Sequence, residues 1–280
     1  MSLYRIETSP SLDAPVIVAA FDGWVDAGNA ATSVVEALAE NADTVATFDS
    51  DQLFDYRSRR PTLEIRDGRL ASLEWPEVTL THARFAGRDL LMLTGSEPDD
   101  RWRAFGDAVV GLVQQLGVTG WISLGAIPAA VPHTRSVPIL GTESRPGLLK
   151  GGVAPGPSGL LTVPSAAISM LEMAVAAAGI PAVGYFAQIP HYVTGPYAIA
   201  AMELMRSLER HLGIDLPRGG ISDEARQLRT KLDAATASDE STRSYVERLE
   251  AMVDESRQPA GEDLISEIER FLRDRNPEGS

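Results

Sequence analysis

Apolar and polar positions along this chain follow strand and helix periods in turn, and the alternation sets out the elements. Val16 to Phe21 is an unbroken apolar run of strand length, the pattern of a strand buried on both faces. Asn29 to Glu40 reads as a helix, with Val34, Val35 and Leu38 on one stripe. Thr44 to Phe48 returns to strand, and Thr62 to Trp75 reads as a hairpin turning at Asp67-Gly68. Val78 to Phe85 and Asp89 to Thr94 are two further strands around Gly87. A helix capped by Asp99 or Asp100 runs to about Leu116 and stops at Gly117. Thr119 to Ala126 is again a buried strand. Residues 127–159 form a long Pro- and Gly-rich segment with one strand near Pro138 to Glu143, and loops of that length are usually functional or mobile. A helix from Pro164 to Ala178, a strand from Ala182 to Gln188 and a helix from Gly195-Pro196 to about Leu212 complete the alternation.

Strands joined by helices imply an α/β fold with a largely parallel sheet flanked by helices. After Pro217 the strand signals stop, and the chain from Ser222 reads as three helices. Tyr245, Val246, Leu249, Met252 and Val253 make one apolar stripe; Leu264, Ile265, Ile268, Phe271 and Leu272 make another. Such stripes pack on each other, on the core or on a partner, and packing within the chain is the simpler reading. The expected division is an α/β core over 1–214 and an acidic C-terminal helical extension over 215–280.

Composition narrows the function. The chain has no cysteine, which excludes disulfides, thiolate nucleophiles and cysteine-ligated metals. Its net charge of -14 argues against nucleic acid and anionic membranes, both of which attract basic proteins. Arg57, Arg59 and Arg60 form the one dense basic cluster, expected to be solvated or paired with nearby acids. No run approaches the ~20 apolar residues of a membrane span, and no export signal is seen near Met1 to Pro10, so a cytoplasmic protein is expected.

Four polar clusters follow predicted strands: Asp22, Trp24, Asp26 and Asn29; Thr94 to Trp102, with Ser96, Glu97 and Arg101; Gly125 to Arg135, with His133 and Arg135; and Gln188 to Tyr197, with His191 and Tyr192. In a parallel sheet such loops meet on one rim, where open α/β folds bind their ligands. Each residue also has a plainer role. Asp26 can cap the first helix, Asp99 the next, and Trp24 and Trp102 can simply pack. His82 and His211 read as structural. A hydrolase would combine Ser96 or Ser123 as nucleophile, His133 or His191 as base and Asp22 as orienter. The G-x-S-x-G elbow, the P-loop and G-x-G-x-x-G are all absent, so no cofactor is expected. Asp22 and Asp26 lack any recognisable metal-ligand spacing.

Phe21-Asp22-Gly23-Trp24-Val25-Asp26-Ala27-Gly28-Asn29-Ala30, Gly95-Ser96-Glu97-Pro98-Asp99 with Arg101-Trp102, and Pro190-His191-Tyr192-Val193-Thr194-Gly195-Pro196 jointly resemble a bacterial member of the PAC2 family, named after the eukaryotic proteasome assembly chaperone 2. The resemblance covers about residues 1–212 and extends to the acidic helical tail of the actinobacterial branch. It implies a core similar to nucleoside phosphorylases and related hydrolases, and assembly into ring-like homo-oligomers, a trimer first. Eukaryotic and archaeal relatives bind proteasome subunits, and the best-known docking signal among them is a C-terminal hydrophobic-Tyr-X motif. Asn276 to Ser280 does not match that motif, so docking of that kind is not expected. Two functions follow as expectations. One is a non-enzymatic, oligomeric binding or assembly protein, with a protein partner meeting its C-terminal helices. The other is a small-molecule hydrolase or nucleoside-processing enzyme that uses the rim loops.

Overall fold

Eight strands form one sheet in a computed structural model that describes residues 2–257. In chain order these are β1 (Tyr4–Ile6), β2 (Val16–Asp22), β3 (Asp43–Phe48), β6 (Val78–Phe85), β7 (Arg88–Ser96), β8 (Gly120–Ala129), β9 (Ile139–Glu143) and β10 (Ala182–Pro190); β4 (Thr62–Arg66) and β5 (Arg69–Glu74) pair separately as a hairpin. Across the sheet the order is β1-β3-β6-β7-β2-β8-β10-β9. The centre, β7-β2-β8-β10, is parallel, and the remaining neighbours pair antiparallel. Residues 127–159 thus contribute an edge strand, β9.

The apolar run of β2 shows why the sheet is covered twice. Successive side chains of a strand point to opposite faces. Val18 and Ala20 enter a core with α1 (Ala30–Ala39) and α5 (Ala198–Leu212), whereas Ile17, Ala19 and Phe21 enter a second with α3 (Trp102–Gln115) and α4 (Ala167–Ala177). A short helix, α2 (Ser50–Leu53), follows β3. Beyond the core, α6 (Ile221–Ser238) packs on α5, and α7 (Glu240–Arg257) folds back on α6.

The expected elements are present, with local corrections. Strand β1 and helix α2 carry too few residues for a periodic signal. Neither Asp99 nor Asp100 caps α3: Arg101, at φ 57°, holds the position before it without a side-chain cap bond. Helix α4 starts at Ala167 rather than Pro164. Among the described residues the tail holds two helices, and the stripe Leu264 to Leu272 of the expected third lies outside them. Among the described residues, no helix is long and apolar enough to cross a membrane.

Candidate functional site

Because β7, β2, β8 and β10 run parallel, the loops after them share one rim, and all four polar clusters stand on it. The rim divides into two groups of side chains with different partners.

The first group sits above β2 and β7. Asp22 lies at the end of β2; its Oδ1 receives Arg59 Nη1 at 3.3 Å, and its Oδ2 receives the Ser96 hydroxyl at 3.4 Å. Arg59 also reaches Asp99, Nη2 to Oδ1 at 3.6 Å, and its guanidinium lies over the Phe54 ring. The basic cluster is therefore anchored through Arg59 by paired acids. Asp99 further accepts the Asp55 N–H at 3.2 Å, which is the work it does in place of capping. Arg101 donates to Gln52 Oε1. Glu97 ties two backbones together, accepting Trp24 N–H at 3.2 Å and Ala167 N–H at 2.7 Å, and so supplies a remote cap to α4. Glycine is required beside it. Gly95 has φ 138°, and a Cβ there would fall 1.9 Å from the Glu77 carbonyl oxygen. Trp24 does not pack as expected; its residue is 65% exposed. Trp102 turns its indole N–H to the Pro98 carbonyl at 2.6 Å. Asn29, left-handed at φ 49°, is exposed.

Asp26 sits beneath this group and belongs to the scaffold. Its buried carboxylate accepts Ala31 N–H at 2.7 Å, Thr32 N–H at 3.3 Å and the Thr32 hydroxyl. It caps α1 as the plainer reading proposed, and burial pushes its pKa up despite those donors. Ser123 is also structural: it lies fully buried in β8 and receives the Trp121 indole N–H at 2.8 Å.

The second group sits above β8 and β10, and the tail closes over it. Tyr192 OH accepts the His133 backbone N–H at 2.8 Å and donates to His133 Nδ1 at 2.7 Å. His133 Nε2 is buried 3.4 Å from Asp233 Oδ1, near enough for charge attraction but off the line of a hydrogen bond. Burial pushes the His133 pKa down; Arg229 adds to this and Asp233 opposes it. Arg229 of α6 also donates to the His133 carbonyl. His191 donates Nδ1–H to the Ala129 carbonyl at 2.9 Å, leaving Nε2 to accept the Tyr245 hydroxyl at 2.8 Å. The rings of His191, Tyr192 and Tyr245 meet edge to face with centroids 5.9–6.0 Å apart. Arg135 grips Asp254 with Nε at 3.2 Å and Nη2 at 2.7 Å, and reaches Glu250 Oε1 with Nη1 at 3.1 Å. Val246 and Leu249 are buried beneath α7 while Met252 stays exposed, so the first tail stripe is spent mainly inside the chain.

The structure thus brings Asp22, Trp24, Ser96 and Glu97 near one another, leaves Arg101 on Gln52, and brings His133, Arg135, His191 and Tyr192 near the tail. Ser96 contacts neither histidine. His82 binds Asp89 at 2.9 Å, and His211 binds the Tyr185 hydroxyl at 2.9 Å. Sequence reasoning missed Gln52, Arg229, Asp233, Glu250 and Asp254 as rim partners; only Tyr245, on its stripe, was signalled. Among the described residues no group of three or more His, Asp or Glu side chains could hold a metal ion.

Comparison with known proteins adds a lineage. Residues 20–236 match the model of the PAC2 family. A Corynebacterium glutamicum protein of unknown function is 32% identical, with a TM-score of 0.86 over 92% of this chain and 99% of its own. A Mycobacterium tuberculosis protein of unknown function is 33% identical, with a TM-score of 0.83 over 90% of each chain. A Mycobacterium tuberculosis proteasome-assembly chaperone homologue is 33% identical, with a TM-score of 0.75 over 82% of this chain and 99% of its own. No protein among the curated ones matches the chain.

Proposed function

The chain belongs to the PAC2 family, and from that premise we propose that it is a non-enzymatic, homo-oligomeric binding protein with a chaperone-like assembly role in the cytoplasm. The solved relative described as a proteasome-assembly chaperone homologue supports proteasome subunits as the class of partner. A trimer is the proposed oligomer. The core over 1–214 is the assembly body, and within the extension over 215–280 the helices α6 and α7 are both its cover and the element a protein partner meets, with Met252 on the outward side.

One observation carries this reading. The residues that could have made a nucleophile and a base are held apart in two clusters: Ser96 with Asp22 and Arg59, and both rim histidines with Tyr192 and the tail. Nucleophilic catalysis needs the two within hydrogen-bond reach, with the base oriented by a third group. Asp26, Glu97 and Ser123, the other reactive side chains nearby, are occupied by backbone groups or buried neighbours.

The test mixes the full chain with separately purified proteasome α- and β-subunits and follows complexes by native mass spectrometry. A defined complex with one subunit type, and a changed rate of core-particle assembly, is the expected result. Absence of any complex, together with turnover of nucleosides or esters that depends on Ser96 or Asp22, would replace the binding reading with the enzymatic one.

A further inference from the structure

A cavity lies at the foot of the sheet, where the parallel strands begin, at the opposite end from the rim. It encloses about 200 Å³ between the starts of β2, β8 and β10, the turn after β9 and the last turn of α5. Val16, Ile122, Leu148, Pro181 and Val183 make its walls, and Lys150 and His211 supply its chemistry. Thr119 also lines it, but its hydroxyl is spent on the Ala14 and Pro15 carbonyls at 3.2 Å.

A relay of hydrogen bonds fixes what the polar side chains present. The Lys150 backbone N–H donates to Tyr185 OH at 3.1 Å, so that hydroxyl turns its own proton to His211 Nδ1 at 2.9 Å. Burial pushes the Tyr185 pKa up, which keeps that proton in place. Burial also pushes the His211 pKa down, with Lys150 and Arg88 adding to the effect. The imidazole is then neutral at neutral pH, Nδ1 is occupied as an acceptor, and Nε2 carries the hydrogen. Among the described residues that N–H has no hydrogen-bond partner, and the Lys150 ammonium has no ion-pair partner. Nearby charges are already engaged. Glu143 accepts Leu148 N–H at 2.8 Å and Leu149 N–H at 3.1 Å, which holds the turn that carries Lys150. Arg210, beside His211, binds Glu203 at 2.9 Å.

An ammonium without a counter-ion and a pre-set N–H donor, set against an apolar wall, match one class of ligand. A carboxylate accepts from both, and charge-assisted bonds of this kind are the strong ones. A single positive charge suits a monoanion, and the walls call for an apolar body to cover them. Volume limits that body. An apolar cavity of ~150 Å³ takes benzene, so this one takes a single ring or a short alkyl chain together with its carboxylate. A phosphate would leave the walls uncovered and most of its oxygens unpaired.

We infer that this cavity is a binding site for a small apolar monocarboxylate, an aromatic or short-chain carboxylic acid held by Lys150 and His211. A ligand there ties the starts of three central strands to the β9 turn and α5, and the site stands independently of the assembly reading.

Benzoate and hexanoate are the probes, titrated calorimetrically into the full chain. Benzamide serves as the neutral isostere of benzoate, and inorganic phosphate as an anion without an apolar body. The expected result is one carboxylate per chain, with benzamide and phosphate weaker by about tenfold or more, the worth of one charge-assisted bond. Lys150→Met removes the ammonium and keeps the backbone N–H on Tyr185, and a loss of about tenfold or more is expected there too. Val16→Phe fills the cavity without touching either polar group and should abolish binding; circular dichroism confirms that both variants are folded. Failure of both carboxylates to bind overturns the site. Binding that survives both substitutions places the ligand elsewhere and overturns it equally. Benzamide or phosphate binding as tightly as benzoate overturns the monocarboxylate.

Discussion

The two halves of the rim occupy equivalent places in the fold, at the carboxyl ends of neighbouring parallel strands, and both are rich in polar side chains. Above β8 and β10, however, the groups have close partners, partly from the tail: Tyr192 serves the buried His133, Tyr245 serves the exposed His191, and the half-exposed Arg135 holds Asp254 through two nitrogens. Above β2 and β7 the groups meet at 3.3–3.6 Å around an exposed Asp22. The same residue types therefore do different work. Under α7 they help fix where a helix lies, through the Tyr245 hydroxyl on His191 and the Arg135 guanidinium on Glu250 and Asp254. In the open half they can exchange partners with solvent at little cost, which is what a binding surface needs.

Removing everything after Pro217 strikes the covered half hardest. Ile221, Val246 and Leu249 are buried and each stands for roughly 1.5–3 kcal/mol of apolar burial, so urea unfolding should show a loss of several kcal/mol or outright aggregation. An unchanged midpoint would make the cover a removable appendage and erase the contrast. Leu249→Ala is a finer cut: about 2–5 kcal/mol is expected, against ~0.5 kcal/mol or less for Met252→Ala on the exposed side of the same helix. Equal losses would mean that α7 does not lie as described.

The third prediction uses pH. Burial holds the His133 imidazole below its ordinary value of 6.5. The docked state accepts a proton less readily than the undocked state, so docking is at full strength above that value and weakens as pH falls through it. Hydrogen exchange in α7, corrected for intrinsic rates and compared at about pH 7.5 and about pH 5.5, should show faster opening on the acid side. Equal protection would show that Asp233 and Glu250 offset the burial. The smallest effect belongs to the open half. Arg59→Met should cost no more than about 1 kcal/mol, as for other partly exposed ion pairs, and a larger loss in thermal unfolding would reveal an unexpectedly rigid site.

Much of the fold was legible because long periodic segments declare themselves. The β2 run and the Val34, Val35 and Leu38 stripe of α1 each span a period of their pattern, and Asp67-Gly68 is a turn signal in itself. Three-residue β1 and four-residue α2 do not. The rim was legible as a place, since four polar clusters follow four strands, but its division into halves was not. Which histidine meets which tyrosine depends on where α6 and α7 settle, and amphipathic stripes say that a helix will pack without saying where. Glu97 is the sharpest case. Its cap on α4 joins residues 70 positions apart, so the usual local signal, an acid or hydroxyl at the cap position itself, was missing at Ala166 and led the helix start to be placed too early.

The strand order has a further consequence, in time rather than in space. Strand β2, the most apolar of the central strands, pairs first with β7, Val16 opposite Leu90, and then with β8. During synthesis at ~5–20 residues per second, it therefore waits roughly 4–15 s for its first neighbour to emerge. The hairpins β4–β5 and β6–β7 can close locally in the meantime. Strand β2 is thus the segment most in need of protection on the ribosome, and a translation pause placed before residue 96 would lengthen that need.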